Sequence, residues 1–142
     1  MSSLINDNSI FAKASFSVSP GYHLISCAHQ TFVDLTGATI TFTTGAFPVV
    51  VGIGGTTNND TVGNDNSFDV AVDGTRIGGT EGIIRRRTVG SSNDTPIGLT
   101  AQTAALTAGS HTVKVQWLVT GGTGTVFGST VVSYVWWAHE IR

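Results

Sequence analysis

Leu106-Thr-Ala-Gly-Ser-His-Thr-Val-Lys-Val-Gln-Trp117, continued by Leu118, Val119 and Thr120, is the stretch on which the reading of this chain turns. Side chains alternate across a strand, so Val113, Val115, Trp117 and Val119 share one face. Thr112, Lys114, Gln116 and Thr120 share the other, with Leu118 as its one apolar member. A period of two in β-branched and aromatic residues predicts a half-buried strand. Ala108-Gly109-Ser110 predicts the tight turn leading into it. A Val/Trp face of this kind has to be covered by a second sheet, and the remaining chain reads as the source of that cover.

Residues 1–9 are polar and read as an N-terminal arm, with Leu4 and Ile5 as its apolar contacts. Residues 10–142 read as one β-sandwich domain. Ile10 to Val18 alternates as a first strand, ended by Ser19-Pro20-Gly21, and Tyr22 to Cys27 reads as a short second one. Two extended pieces follow around Gly37: Phe32 to Leu35, and the β-prone run Thr39-Ile-Thr-Phe-Thr-Thr44. Phe47 to Ile53 is a continuous apolar run that suits a strand covered on both faces, with Pro48 confined to its start. Gly54 to Asn66 reads as the longest loop. Phe68, Val70 and Val72 then face inward, with Ser67, Asp69 and Ala71 outward.

Asp73-Gly74 predicts a tight hairpin returning through Thr75-Arg76-Ile77. Ile83 to Val89 is a further strand, and Gly90 to Pro96 a polar turn. Leu99 to Leu106 has Thr100, Thr103 and flanking glycines that favour a strand or edge over a helix. After the decisive strand, Gly121-Gly122-Thr123-Gly124 turns into Thr125-Val126-Phe127, and Thr130 to Ile141 is apolar on both faces. The expectation is an all-β antiparallel sandwich, jelly-roll-like, with about eight to ten strands.

Composition narrows the functional classes. The 142 residues fit one domain; 40% are hydrophobic but only 11% are charged, against about a quarter in ordinary soluble domains. So little charge predicts that partners cover part of the surface. A net charge of −2 gives no global attraction to nucleic acid or to anionic membranes. No apolar run approaches the roughly 20 residues of a membrane helix. The single cysteine, Cys27, cannot form an internal disulfide and suits a reducing compartment. The start of the chain has no secretory leader pattern.

Asp73-Gly-Thr-Arg-Ile-Gly-Gly79, the Leu106–Trp117 stretch, Gly121-Gly-Thr-Gly-Thr-Val126 and the closing apolar strand together resemble phage and prophage virion proteins. These in turn are similar to trimeric jelly rolls of the tumour-necrosis-factor and complement type. The resemblance covers roughly residues 66–142. It implies a homotrimer on a phage particle, either a capsid decoration protein or a fibre tip. The chain has no coiled-coil or collagen-like stalk, a departure from fibre proteins.

Signals for chemistry are sparse. His23, His29, His111 and His139 show no metal-ligand spacing, and His111 reads as a hydrogen-bonding residue at a turn-to-strand junction. There is no Gly-x-Ser-x-Gly elbow. Asp60 and Asp65 lie in a loop with carboxylate and amide groups suited to Ca²⁺, but without EF-hand spacing, and read as turn residues. Glu81 and Glu140 stand far apart for a polysaccharide-cleaving carboxylate pair. No catalytic, cofactor-binding or metal residue is assigned.

The interface candidates are therefore Arg85, Arg86, Arg87, Tyr134 and Trp136, with Leu4 and Ile5 of the arm. The arginines read either as charges guarding an edge strand or as an intersubunit patch. Tyr134 and Trp136 read either as core of a central strand or as residues facing a trimer axis. The expected function is a non-enzymatic virion protein, made in the host cytoplasm and placed on the outer surface of the phage head. It would be a trimeric decoration protein whose partners are its own copies and the major capsid protein. The alternative is a receptor-binding or fibre-tip head that recognises host glycan.

Overall fold

The structure is a computed structural model that describes residues 11–19 and 23–26 as backbone, and 31–90, 94–127 and 134–141 in full. The expected arm with Leu4 and Ile5 lies outside the described residues, as do Cys27, His29, Val131 and Val132. Eleven strands are described: β1 Phe11–Ser19, β2 His23–Ser26, β3 Val33–Gly45, β4 Val49–Asn59, β5 Asp65–Val72, β6 Thr75–Arg76, β7 Ile84–Arg87, β8 Thr95–Gln102, β9 Ala108–Val119, β10 Thr123–Val126 and β11 Tyr134–Ile141.

They form two antiparallel sheets. One runs β1-β11-β4-β8, with β10 and β2 continuing beside the far end of β4. The other runs β3-β9-β5, with β6 and β7 side by side along the outer edge of β5. Leaving aside the short β2, β6 and β10, the orders 1-11-4-8 and 3-9-5-7 are those of a double-wound jelly roll, in which the chain changes sheet at every step except from β5 to β7.

The decisive stretch behaves as its alternation requires. Val113, Val115, Trp117 and Val119 are buried and the intervening residues half-exposed. Opposite them, Val49, Val51, Ile53, Tyr134 and Trp136 point in from the other sheet. Phe68 stacks on Trp117 with ring centroids 6.1 Å apart. At about 1.5–3 kcal/mol for each fully buried large apolar side chain, this layer supplies the bulk of the folding drive.

The strand begins earlier than expected. Ala108, Gly109 and Ser110 are not a turn but pair with Gly45, Thr44 and Thr43. The two pieces expected around Gly37 are one strand, β3, whose pairing shifts between Asp34 and Thr39. Gly37, at φ +80, absorbs that bulge.

The expected loop from Gly54 to Asn66 is mostly strand. β4 continues to Asn59 and β5 begins at Asp65. The composition looked turn-like because the inward residues there are polar. Asn59 Nδ2 donates to Asn66 Oδ1 (3.0 Å) and to the Gly121 carbonyl (2.9 Å). Asn66 Nδ2 donates to Thr57 Oγ1 (2.8 Å) and to the Asn58 carbonyl (2.8 Å). This end of the sandwich is closed by a satisfied amide network in place of hydrocarbon.

The Asp73-Gly74 hairpin is present, with φ of +50 and +84 and Val72 opposite Thr75, the left-handed pair that a two-residue turn requires. Ser67, Asp69 and Ala71 do point away from the core, yet they are buried as fully as Phe68, Val70 and Val72. Arg76 lies over Asp69 (Nε to Oδ2, 2.6 Å) and rests on the Phe32 ring, 3.8 Å from its centroid. The excursion between β6 and β7 thus covers that face.

Candidate interaction surface

The arginine run sits in β7, an edge strand hydrogen-bonded to β5. All three guanidinium groups have partners within the chain. Arg85 and Arg87 reach from one side of β7 to the carboxylate of Asp65, at 2.5 Å and 3.1 Å, and Arg85 also pairs with Glu81. Burial pushes the Asp65 carboxyl up, but hydrogen bonds and charge from Arg87 and Arg85 outweigh it and hold the group below the usual carboxylate range. The guanidinium groups of Arg85 and Arg87 are pushed up, first by their bonds to Asp65. Arg86, on the opposite side, donates to the Pro96 carbonyl (2.8 Å) and so ties the edge of one sheet to β8, the edge of the other.

The Arg87 side chain stays 60% exposed, and the run lies on an edge strand, as one of its two readings requires. Its anion is Asp65, 20 residues back in the chain and not belonging to any partner. Asp65 is thereby occupied by arginines, and Asp60 accepts from the Thr123 amide (2.7 Å). Among the described residues no group of three or more His, Cys, Asp or Glu side chains is placed to hold a metal ion.

His111 is a structural clasp. Its Nδ1 faces Asp73 Oδ2 at 2.6 Å and its Nε2 faces the Thr107 carbonyl at 2.9 Å. Asp73 in turn accepts from the Thr112 amide through Oδ1 (2.8 Å). The hydrogen bond to Asp73, and then the Thr107 carbonyl, raise the His111 pKa above its ordinary value. The Thr112 amide, and then His111, lower that of Asp73. Glu81 is exposed and paired with Arg85, whereas Glu140 is buried and accepts from the Gly45 amide (2.6 Å), so the two carboxylates belong to different sheets.

Tyr134 and Trp136 are fully buried within the subunit, which corrects the option that they face a neighbouring copy. Tyr134 Oη donates to the Thr36 carbonyl (2.6 Å). The alternation of β11 instead places Val135, Trp137, His139 and Ile141 on the outside. Trp137 lies over Gly52 on the neighbouring strand, where a Cβ would come within 2.3 Å of its indole, and stacks on His139 at 4.6 Å. The sequence showed that Trp136 and Trp137 take opposite faces, but both faces are apolar, so it did not show which one is inside.

The outer face around Trp137 is continued by Val50, Gly52, Gly54, Thr56 and Asn58 of β4 and by Pro96, Gly98, Thr100 and Gln102 of β8. None of these is Asp, Glu, Lys or Arg. Arg76, Arg85, Arg86, Arg87 and Lys114 lie on the other sheet, where Lys114 pairs with Asp34 at 2.5 Å, whereas Lys13 belongs to β1 of this one. The outer sides of β11, β4 and β8 thus carry no charged residue of their own, and Asp94, just before β8, borders them by accepting from Asn58 Nδ2 (3.2 Å).

No family model matches the chain, and no curated protein matches it in sequence. Solved structures that share its general shape include dimeric latent PorU from Porphyromonas gingivalis, at 9% identity and TM-score 0.45 over 94% of this chain and 13% of that one. Another is the T=1 particle derived from infectious bursal virus, at 11% identity and TM-score 0.44 over 92% of this chain and 36% of that one. A third is the CBM36-1 domain of a multidomain xylanase from the hindgut metagenome of Trinervitermes trinervoides, at 14% identity and TM-score 0.40 over 87% of this chain and 96% of that one. The chain spans only a small part of the first two. Likeness at this level carries no argument about function.

Proposed function

We propose that this chain is a non-enzymatic structural protein of a phage particle, a homotrimeric decoration protein bound to the outside of the head. The observation that carries the reading is the charge-poor outer face of strands β11, β4 and β8, in a chain of which only 11% is charged. Such a face favours burial against protein, while the paired charges of the opposite sheet keep water on the other side. The resemblance of residues 66–142 to virion jelly rolls points the same way.

The mechanism is stabilisation by binding. A protein that binds the assembled shell and not its separated subunits shifts the equilibrium towards the shell by mass action. The arm of residues 1–9 is assigned to contacts with neighbouring shell subunits.

Imaging of the native particle tests the reading directly, with density for this domain expected over junctions between capsomers. Density at a fibre tip would favour the glycan-binding alternative. Removal of residues 1–9 is expected to lower occupancy on the particle while leaving the circular dichroism spectrum that of a β-protein. Full occupancy after that truncation would remove the arm from the mechanism.

A further inference from the structure

β8 closes one edge of its sheet, and its free side holds a ladder of main-chain donors and acceptors. It pairs with β4 alone. The Thr103 amide donates to the Val49 carbonyl (2.9 Å), one step beyond the Val50–Gln102 pair. Main-chain groups alternate in direction along a strand, so Thr95, Ile97, Leu99 and Ala101 also turn theirs towards β4. Those of Pro96, Gly98, Thr100 and Gln102 turn outward. The Pro96 carbonyl agrees with this phase, since it accepts from Arg86 on β7. The outward N–H and C=O groups of Gly98, Thr100 and Gln102 make no hydrogen bond among the described residues, and all three residues are exposed. An edge of this kind is commonly blunted by charge, as β7 is by its arginines. From Thr95 to Gln102, β8 has no charged residue.

We infer that the free side of β8 accepts an added strand, and that this strand is the arm of residues 1–9 from a neighbouring copy. Strand addition needs only an extended main chain with its amides intact. The arm has no proline and a single charged residue, Asp7. It enters the domain at β1, which stands at the opposite edge of the same sheet from β8. Nine extended residues reach roughly 30 Å, against roughly 17 Å for pairing along Gly98–Gln102. To return to its own β8 by the short route, the arm would first use about 14 Å in crossing three strand spacings. It would then run parallel to β8, the weaker kind of ladder. On a neighbour it has its whole length and can run antiparallel. Each copy then gives a strand at one edge and receives one at the other, a head-to-tail contact of the kind that closes into a ring. The inference rests on the homotrimer of the proposed function and supplies its contact. Pairing engages the arm's main chain, so side chains on its outer side stay available to the shell.

The test uses the full chain purified without any virion component, read by sedimentation and native mass. The wild type is expected to be a trimer. Thr100→Pro removes an outward N–H that β4 does not use, so the acceptor edge is lost while the subunit's own ladder is kept. It is expected to be a monomer with an unchanged β-type spectrum. The chain lacking residues 1–9 keeps the acceptor and loses the donor, and is expected to be a monomer as well. Mixed together, the two are expected to form a one-to-one pair, because one intact arm meets one intact edge. A Thr100→Pro protein that stays trimeric would overturn this contact and leave the trimer standing, as would a trimeric truncated chain. Two monomeric variants that ignore each other in the mixture would also overturn it. A monomeric wild type would remove the contact and the trimer together. Binding of a synthetic peptide of residues 1–9 to the truncated chain would then place the arm on its own subunit's β8.

Discussion

His111 is held between two acceptors, and both its neighbours favour the protonated ring. Because its pKa is raised on folding, the stability it contributes is complete below the unfolded value of about 6.5 and is lost as pH rises through the folded value. Asp73 has the opposite sign: its contribution is present above about pH 3.9 and fades as pH falls through its lowered folded value. The clasp is therefore strongest in mild acid. Denaturant melts of the wild type and His111→Gln should differ most near pH 5, and the gap should shrink by about pH 9. A gap independent of pH would mean that His111 contributes packing alone. Asp65 makes a second residue-scale case, since its buried carboxylate is the common anion of Arg85 and Arg87. Asp65→Asn should cost about 1–2 kcal/mol in the same melts, the low end for a broken buried charge because both guanidinium groups keep water.

At the scale of elements, β9 was legible because only one of its faces is apolar. Trp117 is the largest side chain it buries, and Trp117→Ala should lower unfolding stability by about 3–5 kcal/mol, measured by urea titration. The hairpin at Asp73-Gly74 was legible because few dipeptides accept two left-handed residues in succession. The far half of β4 was not. Thr57 and Asn59 look like surface residues until Asn66 and Gly121 are brought beside them, and that proximity depends on tertiary pairing. The buried outer side of β5 escaped for the same reason, since its cover comes from Phe32 and Arg76, on either side of it in sequence. Among the site residues, the edge position of Arg85–Arg87 was readable, but their partner Asp65 was not. The half-exposed aromatic of β11 is Trp137, one residue from the pair singled out by sequence, because an all-apolar strand does not announce which side is core.

Seen whole, the molecule carries most of its described charge on the β3-β9-β5 sheet and little on the outer side of β11, β4 and β8, and this predicts how its associations respond to salt. Contacts made by the charge-poor outer side of β11, β4 and β8 should hardly weaken as ionic strength rises from about 0.05 to 0.5 M, because there is little Coulomb attraction to screen. A contact made through Arg85–Arg87 would weaken steeply over the same range. Sedimentation at the two salt concentrations separates these cases, and a mass that falls at high salt would transfer the interface to the arginine edge.

The place of β11 in its sheet has a consequence for biosynthesis. This strand is inserted between β1 and β4, pairing Phe11 with Ile141 and Val49 with Glu140. Neither neighbour can complete its ladder until the ribosome has released residue 141. Until then β1 and β4 expose unpaired backbone edges that the finished domain conceals, and closure must bring Phe11 to Ile141, far apart in the chain, which places folding among the slow, non-local topologies.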